Sequence, residues 1–408
     1  MRKPWFQLTA SLIAMVMIAN LQYAWTLFVE PMRDAHMWTR TEVGAAFALF
    51  IALQTFVQPL DGWLMDRIGP RFLITIAGIL CGVGWSLLGQ ADTLTELKLF
   101  YALAGVGAAF VYSGCVGSAL KWYPHRRGFA AGLIAAGFGG GSGLFNLIIQ
   151  KYLIPVHGYQ TTFLWTGVLQ GLVILIVAQF LRHPDATFAA PKPAAGAAVT
   201  TVSRRNTESF NTGEMLSRPH FYILYVMFVT VATGGLYLTS NQASIARDWN
   251  MAFIVATVAT LGPLANGTSR IFWGWFSDRI GRENTMVIAF FLQALSLVAV
   301  GTFGRTSATL FTISLVAVFF TWGEIYSLFP STLGDYFGGK HATSNYSFLY
   351  TAKGVAASLG SYLGTRLVEQ SGWSWESVFY GCALLALISA MIALVLRTRP
   401  LPYKAKIA

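Results

Sequence analysis

The sequence predicts an all-α integral membrane protein with twelve transmembrane helices in two six-helix pseudo-repeats. Three observations predict it. Of the 408 residues, 55% are apolar and only 11% charged, where a soluble domain has about 25% charged residues. Apolar runs of about 20 residues, each enough to cross ~30 Å of hydrocarbon, recur from one end of the chain to the other. A loop motif of the first half returns in the second at a fixed offset.

The spans fall near 8–29, 42–64, 72–90, 97–120, 128–149, 161–181, 219–240, 252–276, 285–304, 308–333, 342–366 and 374–396. The first follows Met1-Arg2-Lys3-Pro4 and mimics a signal peptide. No small-residue cleavage site comes after it, so it reads as a retained helix. The second and third are joined by the loop from Gly62 to Arg71, the eighth and ninth by the loop from Gly274 to Arg282. The fifth and eleventh carry Gly128, Gly132, Gly139, Gly143 and Gly360, Gly364 at four- or seven-residue intervals, spacing that permits close helix approach. Between the sixth and seventh, Pro184 to Thr207 is rich in Ala, Pro and Thr and reads as a flexible linker. The predicted organisation is therefore an N-terminal bundle over 1–182, a cytoplasmic linker over 183–218 and a C-terminal bundle over 219–408.

The net charge of +11 reports topology rather than a nucleic-acid partner. Placing Arg2 and Lys3 in the cytoplasm puts 19 of the 28 Lys and Arg in cytoplasmic segments, 7 outside and 2 in the membrane. That asymmetry satisfies the positive-inside rule with both termini inside. A plasma (inner) membrane location and attraction to anionic lipid follow. Cys81, Cys115 and Cys382 all fall within spans without paired spacing, as packing residues do, and the six histidines are scattered. No metal site, cofactor or enzymatic constellation is expected, and a monomer is expected. No GxxxxGK[ST] phosphate loop is present, which argues against an ATP-driven pump.

Gly62, Trp63, Asp66, Arg67, Ile68 and Gly69 recur as Gly274, Trp275, Asp278, Arg279, Ile280 and Gly281, all at an offset of 212. Such a match at equivalent loops is the mark of an internal duplication. It suits a carrier of two bundles with a midplane site. On these two loops the chain resembles the major facilitator superfamily. The resemblance implies that loop charges latch the cytoplasmic ends during the transport cycle. Asp66, Arg67, Arg71, Asp278, Arg279 and Arg282 inherit that gating role, and Lys121, Arg126 and Arg127 belong to the same face.

Two cations stand where a bilayer disfavours them. Arg270 is the only charge in 252–276 and Lys353 the only charge in 342–364. A charge at mid-helix costs about 2.5–3.5 kcal/mol even on the lenient insertion scale, and neither helix offers an acid. Subtracting the repeat offset gives Gln58 and Gly141, so the duplicated scaffold has no counterpart of either charge. At 1.5 Å per residue, Arg270 lies ~11 Å and Lys353 ~16 Å from the inner ends of their spans. An Arg fork and a mobile Lys suit a small dianion or a compact monoanion. Tyr346, Tyr350 and Lys353 share one helical face by spacing, and Trp322 and Tyr326 are an i, i+4 pair. With Gln22, Tyr23 and Tyr112 they form a candidate aromatic lining.

LQYAWTLF, FVYSG, NTGEMLSRPHF, NGTSRIFWGWFSDRIGR, FFTWGEIYSLFPST and NYSFLYTAKG resemble the bacterial oxalate:formate antiporter branch of that superfamily. The resemblance implies that Arg270 and Lys353 bind a dicarboxylate within a cage of Gln22, Tyr23, Tyr112, Trp322, Tyr326 and Tyr350. Tyr350, Phe138 and Glu324 depart from that branch, which has Trp, Tyr and Gly at those positions. Glu324 lies two residues from both Trp322 and Tyr326, which places it on the opposite face of an unbroken helix. It is a candidate for pairing or packing behind the site, or for proton coupling. The expected function is exchange of small carboxylate anions by alternating access, of the oxalate/formate type. The alternatives are a proton-coupled monocarboxylate symporter for substrates such as lactate or pyruvate, and a carboxylate sensor without transport.

Overall fold

A computed structural model describes residues 3–185 and 204–403. The predicted linker therefore lies outside the described residues over 186–203, as do Met1, Arg2 and the last five positions. The described residues hold helices and no strand. In the first half these are α1 (Pro4–Tyr23), α2 (Trp25–His36), α3 (Arg40–Phe56), α4 (Gln58–Ile68), α5 (Pro70–Leu87), α6 (Leu94–Trp122), α7 (Arg127–Ile148) and α8 (Ile154–Ala178). In the second they are α9 (Thr212–Leu216), α10 (Pro219–Asp248), α11 (Val255–Ile280), α12 (Arg282–Phe303), α13 (Ala308–Trp322), α14 (Ile325–Phe337), α15 (Ala342–Ala357), α16 (Thr365–Ser371) and α17 (Trp375–Thr398).

Each of the twelve predicted ranges is occupied by helix. Among the described residues, eight helices are long and apolar enough to cross a membrane, nine if a bent pair counts as one span. The sequence did not reveal the breaks. Span one breaks at Ala24. Span two bends by 43° between Phe56 and Gln58, where Pro59 brings no N–H to the carbonyl of Thr55. Span ten breaks at Gly323-Glu324. Spans five and eleven each pass through a π turn, at Ile149–Leu153 and Ser358–Gly364.

The chain divides into two compact units. One comprises Met1–Pro124, Gly137–Ala190 and His341–Thr351, the other His125–Ala136, Pro191–Lys340 and Ala352–Ala408. Two short segments thus cluster with residues of the opposite sequence half. In the first unit, the core is an aromatic stack of Trp25, Tyr101, Phe50, Trp85, Phe28 and Phe163. The second unit shows what the fifth-span glycines are for. A Cβ on Gly128 would strike the Gly274 carbonyl, and one on Gly132 the Arg270 carbonyl. Without side chains there, the α7 and α11 backbones touch.

The repeated loops adopt the same backbone. Gly69 has φ 91° and ψ 165°, and Gly281 has φ 95° and ψ 155°, a region open essentially to glycine alone. The duplicated aspartates also share a task. Asp66 Oδ2 accepts from Ser344 N at 2.8 Å and Ser344 Oγ at 2.6 Å, in the first turn of α15. Asp278 accepts from Gly128 N at 3.1 Å and Phe129 N at 2.9 Å, in the first turn of α7. Helix starts leave N–H groups without partners and carry a partial positive charge, so each carboxylate caps a helix. Lys121 joins Asp66 at 2.5 Å. Arg282 joins Asp278 at 2.7 Å and Asp335 at 2.9 Å, and Arg127 joins Asp335 at 2.8 Å. Of the other predicted gate residues, Arg67 and Arg279 stack on Trp63 and Trp275, and Arg71 donates to Gln179.

Two predictions follow from these loops. Gly69→Ala and Gly281→Ala force a side chain into the glycine-only region and should each cost about 1–3 kcal/mol. Gly44→Ala, in α3 with open space around it, should be neutral or slightly stabilising. Thermal melts in detergent compare them, and an unchanged melt for Gly69→Ala contradicts the strain. Burial and the nearby Lys121 ammonium push the half-buried His183 imidazole from 6.5 down to about 4. Between those pH values the unfolded chain binds a proton that the folded chain does not. His183's contribution to stability is thus complete above pH 6.5 and lost as the pH falls toward about 4. His183→Gln should flatten the melting temperature across that window.

Candidate functional site

The second unit builds the cation site from α11 upward. Arg270 is 1% exposed. Its Nε and Nη2 donate to Asn266 Oδ1 at 3.2 and 2.6 Å, and its Nη1 donates to the Ala135 carbonyl at 2.7 Å. Asn266 lies one turn before Arg270 on the same face, so the amide oxygen meets the fork from its own helix. Tyr326 covers the guanidinium face at 4.2 Å, a cation–π contact that strengthens when water is excluded. Every partner is neutral, and Arg270 forms no ion pair with a carboxylate of the described residues. Of its five N–H donors, three are engaged, which leaves two without an acceptor among the described residues.

Lys353 is buried on α15 and lies within electrostatic reach of Arg270. Trp322 packs edge-on to Tyr326 with ring centroids 5.9 Å apart. Gly235 of α10 makes room for the indole, since a Cβ there would enter the ring. Trp322 Nε1 is buried without a hydrogen-bond partner among the described residues. Glu324 follows at the break between α13 and α14. It is fully buried, and neither carboxylate oxygen has a hydrogen-bond partner among the described residues. It is therefore not bonded to Arg270 or Lys353.

The first unit assembles the remaining aromatic residues as a row. Tyr23 packs on Phe138 at 5.5 Å, Phe138 on Tyr112 at 5.5 Å, Tyr112 on Tyr350 at 4.7 Å, and Tyr350 on Tyr346 at 5.7 Å. Gln22 stands beside Tyr23 at the end of α1, its Oε1 buried without a hydrogen-bond partner among the described residues. Phe138, noted in the sequence only as a departure, is the ring that joins Tyr23 to Tyr112.

Several residues escaped sequence reasoning. Asn266 had a usable signal, its i, i+4 spacing to Arg270. Asp335 had none: its repeat counterpart is Tyr123, so the duplication did not point to it. Asp61 lay at the soft end of the second predicted span, next to a motif that drew attention to Asp66.

Known proteins support the same architecture. The family model of the Major Facilitator Superfamily matches residues 10–323 and 232–408. The chain is 35% identical over 399 residues to the oxalate:formate antiporter of Oxalobacter formigenes, covering 98% of this chain and 91% of that protein. It is 27% identical to YhjX, an uncharacterized MFS-type transporter of Escherichia coli strain K12, covering 87% and 86% of the two chains. Among solved structures, the human organic anion transporter MFSD10 (TETRAN) matches with a TM-score of 0.72 at 13% identity, over 96% of this chain and 99% of that one. The proton:xylose symporter XylE matches with a TM-score of 0.77 at 13% identity, over 98% and 96%. At such identities these two speak for the fold alone. The two-repeat helical architecture, the duplicated loops and the family match lead to one conclusion: the chain belongs to the Major Facilitator Superfamily, a family of membrane transporters.

Proposed function

We propose that this transporter carries small carboxylate anions by alternating access and exchanges one for another, in the manner of an oxalate/formate antiporter. One observation carries the proposal. A fully buried guanidinium is held only by neutral acceptors and keeps two N–H donors in hand. A carboxylate fits that fork bidentately. Lys353 supplies the second positive charge, and Trp322 Nε1 a further donor. Gln22, Tyr23, Tyr112 and Tyr350 are proposed as ligands on the position-by-position resemblance to the antiporter branch. Asp66, Arg71, Asp278 and Arg282, with Arg67 and Arg279, are proposed to govern the opening of the cytoplasmic side. The 35% identity to the oxalate:formate antiporter supports the substrate class. A plasma (inner) membrane location with both termini inside is part of the same proposal.

Exchange follows from charge. A buried guanidinium held by neutral acceptors makes the empty carrier costly to close, and a bound anion offsets its charge. Exchange therefore outruns net uptake. A second reading is favoured by Glu324, a buried carboxyl whose oxygens have no hydrogen-bond partner among the described residues. In that reading Glu324 takes up a proton and the carrier is a monocarboxylate symporter.

Two measurements separate these. Purified protein in liposomes should take up labelled oxalate or formate only when a counter-anion is loaded inside. Uptake into empty liposomes driven by a pH gradient, abolished in Glu324→Gln, would establish the second reading instead. In binding assays with oxalate, formate, lactate and pyruvate, Arg270→Gln and Lys353→Gln should each lose about 2–5 kcal/mol, ~30-fold or more in Kd. Asn266→Ala, which frees the guanidinium without removing it, should cost less. Wild-type affinity for all four anions in both charge variants would refute the site.

A further inference from the structure

The first unit holds a buried acid that the anion site does not use. Asp61 on α4 is fully buried, and among the described residues its one hydrogen bond is from Ser113 Oγ of α6 to Oδ1, at 2.5 Å. Its Oδ2 has no hydrogen-bond partner among the described residues. The contrast with the other buried aspartates is chemical. Asp66 is ringed by an ammonium, a backbone N–H and a hydroxyl. Asp278 takes two backbone N–H groups and a guanidinium, and Asp335 two buried guanidiniums. An ammonium, a guanidinium and an N–H can only donate, so those three sites fix the charged form. A serine hydroxyl both donates and accepts, so the Asp61 partner can satisfy either form.

The surroundings are polar in the same way. Gln54, Gln58 and Asp61 follow an i, i+4, i+7 spacing through the bend between α3 and α4. Both amide atoms of Gln54, Thr55 Oγ1 and Gln58 Oε1 are buried without hydrogen-bond partners among the described residues. Such atoms are the ones that ordered water satisfies. By the repeat offset Gln58 is the counterpart of Arg270, so this stripe occupies the first-half equivalent of the anion site. The elements around α4 carry further titratable groups: Glu96 of α6 caps its own helix at Thr93, Tyr101 of α6 bonds the Leu21 carbonyl, Lys98 lies near the start of α6, and Lys353 lies on α15 two turns beyond Tyr346. Glu42 of α3 caps its own helix at Thr39, Arg71 of α5 bonds Gln179, and Lys121 of α6 bonds Asp66. Tyr112 of α6 packs on Tyr350 of α15, which packs on Tyr346, and Cys81 and Cys115 are buried thiols. His183 sits against the Met65 carbonyl and Lys121.

We propose that Asp61 is a proton-binding site, governing the seam between α4 and the first turns of α15. The next residue, Gly62, meets Thr343 and Ser347 across that seam so closely that a Cβ would collide with both, and its carbonyl accepts from Ser344 Oγ at 3.1 Å. With the seam shut, an ionised carboxylate in this setting is costly, and Asp61 holds its proton. The acid form donates to Ser113 Oγ, which turns its own proton toward the Phe110 carbonyl, 3.5 Å away. When the seam parts, water reaches the carboxyl, the carboxylic O–H bond breaks and the proton passes to water as hydronium. Ser113 then donates to the carboxylate. The carrier thus releases and regains one proton per opening, whatever anion it carries. The inference rests on the carrier reading but not on the substrate.

Infrared titration of the purified full-length chain in liposomes tests this, with Asp61→Asn, Glu324→Gln and Ser113→Ala beside wild type. Wild type should show a protonated-carboxyl signal with one component that is lost in Asp61→Asn and survives Glu324→Gln. Ser113→Ala keeps the carboxyl, so it reads the site even if Asp61→Asn fails to fold. Its component should differ from wild type in band position and in the pH at which it is lost, because the hydroxyl that partners both forms is gone. An Asp61→Asn spectrum identical to wild type at every pH overturns the proposal. So does displacement of the component by sodium at constant pH, which would mark a cation site. The transport arm is oxalate counterflow against pH, whose profile Asp61→Asn should flatten; an unchanged profile overturns the coupling. If wild type exchanges no oxalate, the substrate reading fails, while the infrared titration still decides on Asp61.

Discussion

A guanidinium buried among neutral acceptors is the constraint on which the rest depends. Removing a cation from water costs several kcal/mol even after relaxation, and here no carboxylate of the described residues meets it. Asn266, the Ala135 carbonyl and the Tyr326 ring moderate that cost and fix the fork's orientation. They do not cancel its charge. The scaffold is arranged around this placement. Gly132 lets α7 approach the Arg270 backbone, and Gly235 lets Trp322 fold beside Tyr326. The α7 carbonyl can reach the guanidinium because two helices that lack side chains at their contact come within touching distance.

The charged loops obey a different logic from the site. There the acids are multiply bonded by donors, and the same device appears twice: a glycine in a glycine-only conformation, then an aspartate capping the start of a helix distant in sequence. Each capped helix also carries part of the site, since α7 provides Ala135 and α15 provides Lys353. The Arg270 guanidinium meets no carboxylate of the described residues, whereas the loop charges are satisfied by one another and by helix starts.

Most of the fold was legible in the sequence because the membrane imposes it. Twelve apolar runs had to be helices, and the 212-residue offset exposed the duplication. Arg270 and Lys353 stood out because a charge in hydrocarbon is rare. What was illegible depends on tertiary context. Asp61 read as the margin of a span rather than as a buried acid, and Asp335 had no partner in the repeat. Aromatic spacing identified the rings but not Phe138 as the link between Tyr23 and Tyr112, since that contact joins α1, α6 and α7.

The most direct test is an experimental structure of the full chain with oxalate bound. The account predicts a carboxylate within hydrogen-bond distance of Arg270 Nη1 and Nη2, with Asn266 still holding the guanidinium and Tyr326 still covering it. Oxalate resolved elsewhere, with the Arg270 fork unoccupied, would contradict it.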